Sequence, residues 1–166
     1  GTPETLNPWN QEWPKDRLGL SKWIIDKKNP LTARTLVNRV WHQIYGRGLV
    51  STIEDIGSQS DAPSHPALLD WLSLRFMNEH NWSLKKLIRD IVLSGTYRQS
   101  SVSSVELNEI DPENRMLARG PRIRLSAEQI RDQALAVSGL LSNKMYGKSV
   151  MPPQPDGVSQ TVYSGL

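Results

Sequence analysis

Asp55, Asp61 and His65 are the residues whose types and spacing could move a proton, and they lie in or just after a long polar loop over residues 49–63. A histidine with two carboxylates is the smallest set that can act as acid and base near neutral pH. The three are therefore the candidate catalytic residues, and hydrolysis is the chemistry they would serve. Ser64-His65-Pro66 also has a purely structural reading as helix-start chemistry. One histidine without a second at ligand spacing is a poor metal signal. The chain has no cysteine, which removes thiolate metal sites, CxxCH haem attachment and cysteine nucleophiles together. The expectation is no metal site and no cofactor. No nucleophile elbow, phosphate-binding loop or dinucleotide fingerprint is present.

Binding is the other chemistry the residues allow. Arg34, Asn38 and His42 follow one another at four-residue spacing, so a helix would stack them on one face. They read as a polar strip for an anion or a partner carboxylate, or as a solvated helix face. Tyr97 and Arg98, with Arg119, Arg122 and Arg124, form the second binding set. Its alternative is internal ion pairing, with Asp70, Asp90 or Asp132 as acceptors. Ser126 to Gln129 reads as a capping box whose free amides, near Arg122 and Arg124, would suit an anion unless Glu128 fills the place. Net charge is +3, weak support for nucleic acid, and the acidic run Glu106, Glu109, Asp111, Glu113 opposes a polyanion. The ligand class left is an anionic or carbohydrate one. Trp9 and Trp13 lie outside any helix and either stack on a ligand or pin the arm. Trp23, Trp41 and Trp71 read as core, Trp82 as a staple on the helix after Ser83.

Five amphipathic segments must position these residues. Periodicity and punctuation give helices over 15–28, 32–45 with Thr32 as N-cap, 64–80, 83–95 and 126–141. Leu20, Trp23 and Ile24 would face inward in the first. Residues 100–112 read as a polar excursion and 112–117 as a short helix. The fold class is all-α: orthogonal or bundle-like packing of about five helices, with long polar loops. Residues 1–14 form an extended N-terminal arm, 15–142 the helical domain and 143–166 an extended tail. No apolar run approaches the ~20 residues of a membrane span.

The runs Asn29-Pro30-Leu31-Thr32-Ala33-Arg34, Val37-Asn38-Arg39-Val40-Trp41, Gly46-Arg47-Gly48-Leu49-Val50, Ser94 to Ser100 and Leu117 to Arg122 carry a resemblance. They resemble an uncharacterised C-terminal domain of large planctomycete-type proteins that often also carry a cytochrome c-like domain. The resemblance implies export, a multidomain parent and a domain that continues past Leu166, of which 143–166 would be a truncated part. It carries no catalytic residue over. The function expected is a non-catalytic scaffold or interaction module contacting other domains of its parent.

Overall fold

A computed structural model describes residues 2–3, 5–57 and 59–148. It contains helices α1 (Arg17–Ile24), α2 (Thr32–Tyr45), α3 (Pro66–Asn78), α4 (Leu84–Leu93), α5 (Val105–Ile110) and α6 (Ala127–Val137). No strand occurs among the described residues, so the all-α reading holds. The chain divides into two units, Gly1–Arg124 and Leu125–Leu166.

In the first unit α2 packs mainly on α3, and α4 closes against both. The reason is one stripe per helix. Ala33, Val37 and Trp41 recur every four residues on α2, and they meet Leu69, Leu72, Phe76 and Met77 of α3 and Leu87 and Ile91 of α4. Leu49 and Val50, just after α2, complete the core. A fully buried side chain such as Phe76 contributes about 1.5–3 kcal/mol of transfer free energy. Trp71 is not core. It sits on the opposite side of α3 from Leu69 and Phe76, is 51% exposed, and lies under the Arg75 guanidinium at 5.3 Å.

Helix ends differ from the sequence reading where a side chain found a better partner. Thr32 begins α2 but does not cap it: its hydroxyl donates to Ile24 O at 2.6 Å. Asn29 Oδ1 instead accepts from the Leu31 and Thr32 amides. Ser64 likewise donates to Leu49 O at 3.3 Å, and Pro66 starts α3 as expected. α2 stops at Gly46, whose φ is +78° and whose missing Cβ would run into Ile123 Cγ2. Asp16 caps α1 through the Gly19 amide, making the helix shorter than expected. Only Gly19 and Trp23 of α1 are buried, while Leu20 and Ile24 are exposed. Trp23 anchors the arm by donating to Asn7 O at 2.7 Å.

The α3–α4 turn uses left-handed Asn81 and Trp82, and Trp82 packs edge-on against Phe76 of α3, not onto the helix after Ser83 as expected. The short helix expected at 112–117 forms instead at Val105–Ile110, where Ser104 accepts from the Leu107 amide. In the second unit Ser126 and Gln129 make the expected capping box on α6, which ends at Val137, and no α6 residue is buried. Residues 149–166 of the expected tail lie outside the described residues. No helix among the described residues is long and apolar enough to cross a membrane.

Candidate functional site

The three acid–base candidates have separate partners. Asp61 accepts from the Ser51 hydroxyl at 2.5 Å. His65 Nδ1 lies 3.1 Å from Ser64 Oγ. Asp55 is exposed, and its backbone carbonyl accepts from Thr52. No hydrogen bond or ion pair joins His65 to either aspartate among the described residues. Nor does any group of three or more His, Asp or Glu there suit a metal ion.

The strip on α2 is split between inside and outside. Asn38 is fully buried. Its amide pairs with both backbone groups of Val50, donating to Val50 O at 3.0 Å and accepting from Val50 N at 2.9 Å. It is thus a core residue that ties the chain after α2 to the middle of the helix. The backbone at Gly48 approaches so closely that a Cβ would lie 2.8 Å from Asn38 Oδ1. Arg34 is paired with Asp70 and also donates to Pro30 O. His42 stays half-buried in the last turn. Arg39, off the strip, pairs with exposed Glu54 at 3.3 Å.

The second set is split as well. Arg119 is buried and donates to the carbonyls of Asp111 and Pro112, both at 2.9 Å. The Asp111 carboxylate accepts from the Arg115 and Met116 amides at 2.8 Å. Asn114 exchanges bonds with the Arg119 backbone in both directions. Residues 111–119 are therefore a hydrogen-bonded knot. Burial pushes the Asp111 carboxyl up, but the Met116 and Arg115 amides and the Arg119 charge outweigh it and hold it below its ordinary value. Arg98, Arg122 and Arg124 are exposed, and Tyr97 stands edge-on to Tyr45. At the start of α6, its own backbone amide and Ser126 hold the Glu128 carboxyl below its ordinary value.

The knot and the end of α2 together line a polar recess. A cavity of about 320 Å³ is lined by Tyr45, Gly46, Arg47, Glu113, Arg122 and Ile123. A narrower crevice shares Tyr45, Arg47 and Glu113 and reaches Ser64, Asn114 and Arg115. Arg47 and Glu113 form an ion pair. Tyr45 stacks on Trp41 with centroids 4.2 Å apart. Burial raises its phenol, against a lowering contribution from Ser94. Sequence reasoning found Arg122 but missed Tyr45, Arg47 and Glu113. The available signal was an arginine held between two glycines at a helix end.

A second cluster joins α3 to α4. Asp90 Oδ2 accepts from Arg75 Nε and from the His80 ring, both at 2.6 Å. His80, two residues past α3, is turned to Asp90. Asp70, Asp90 and Asp132 thus pair with Arg34, Arg75 and Arg131, not with the arginines expected.

A family model described as "PSD1: Protein of unknown function (DUF1553)" matches residues 16–164. The chain belongs to that family. No curated protein and no solved structure matches it.

Proposed function

We propose, taking membership of that family as the premise, that the chain is a non-catalytic helical module through which a larger exported protein docks its other domains. The outward face of α4 supports this reading. Leu84 and Ile88 are exposed one turn apart on α4, beside exposed Lys85, Lys86 and Arg89. Asp90, the carboxylate of α4, is engaged by Arg75 and His80. A cationic, apolar face fits a partner surface with an apolar centre and an acidic rim. The hydrolytic alternative on Asp55, Asp61 and His65 would need a shared proton path, and the Asp61 and His65 side chains bond to different serines. Trp9 and Trp13 pack edge-on against each other at 6.0 Å.

Lysine footprinting of the isolated chain and of the full parent protein tests the docking role. Lys85 and Lys86 should react several-fold more slowly in the parent, with Lys22 as an internal reference. Equal reactivity in both would end this reading.

A further inference from the structure

We infer that the recess at the end of α2 binds one carboxylate group of an external ligand, and that Glu113 is its internal placeholder. This does not depend on the docking face of α4. Arg47 stands between Gly46 and Gly48 and holds Glu113. The resident partner identifies the chemistry, since a guanidinium presents parallel N–H donors matched to a planar carboxylate. Arg122 lines the same cavity and has no ion-pair partner among the described residues, so the recess keeps an unneutralised positive charge.

The placeholder is held loosely. The Arg47 and Glu113 side chains are 30% and 60% exposed, and pairs so exposed are weak. An incoming carboxylate replaces the Glu113 carboxylate on Arg47 and gains Arg122, which has no ion-pair partner among the described residues. The cavity, about 320 Å³, admits a small acid or the acidic end of a larger molecule.

Acetate titration of the whole chain at constant ionic strength, with chloride as the balancing anion, tests this through the amide resonances of Gly46, Arg47 and Gly48. The wild type should shift saturably. Glu113→Gln, which removes the placeholder, should bind about 2–5-fold tighter, the range expected for a lost exposed pair. Arg122→Ala should bind about tenfold more weakly, as for a lost hydrogen bond to a charged group. Both positions are exposed, and circular dichroism would verify that each variant keeps its helices. Absence of a saturable shift in the Glu113→Gln protein would overturn the assignment. So would equal affinity in Arg122→Ala, or equal shifts with chloride alone.

Discussion

At the scale of the residue, Asn38 best explains why the chain after α2 runs where it does. Its amide meets both the N–H and the C=O of Val50, in place of the ladder a neighbouring strand would supply. Asn38→Ala would leave both groups buried without partners, and each unmet group costs about 1–3 kcal/mol. Urea denaturation should therefore show a loss of about 2–4 kcal/mol, allowing for partial hydration. A loss under about 0.5 kcal/mol, as at an ordinary surface site, would show that water replaces the amide freely. The sequence hid this role through residue type. Asn38 lies three residues before Trp41 and next to Val37, inside the apolar stripe, but a polar amide at that position reads as surface. Arg119 was hidden in the same way. Its guanidinium meets carbonyls brought round by the left-handed turns at Asn114 and Leu117, and no periodicity reports such turns.

At the scale of the element, α2, α3, α4 and α6 were legible because apolar spacing and punctuation agreed. α5 was not, since Val105–Ile110 carries a cap but no buried face. The joint between α3 and α4 makes a pH-dependent contribution. Burial raises the Asp90 carboxyl, but the His80 and Arg75 bonds prevail and lower it below its ordinary value. A carboxyl with a depressed folded pKa stabilises the fold above its unfolded value, about 3.9. That contribution is lost as pH falls through the folded value. Unfolding free energy should thus fall more steeply below pH ~4 in the wild type than in Asp90→Asn. Asp111 is depressed in the same direction, so the slope shrinks in the variant and does not vanish. Identical pH profiles for the two proteins would refute the role of Asp90.

At the scale of the whole molecule, order is graded. The α2–α3–α4 core holds most of the buried apolar side chains, whereas α6 has a complete capping box and no buried residue. An isolated helix of 11 residues is marginal in water however well it is capped. Amide exchange should be slow at Val37, Phe76 and Leu87, reporting global unfolding, and at least ~100-fold faster across 130–137. Uniform protection across both sets would contradict this grading. The sequence could give α6 its start, but only packing could have shown which helices share a core. The long polar stretch before α3 has a property of practical use. Its two ends are joined by the Ser64 amide donating to Leu49 O at 2.8 Å, and Val50 is fastened to Asn38. The span between behaves as a closed cassette hanging from fixed posts. A peptide epitope or a whole inserted protein could be spliced at Ser60 without pulling on the helices, so such an insertion should keep the same three-helix core.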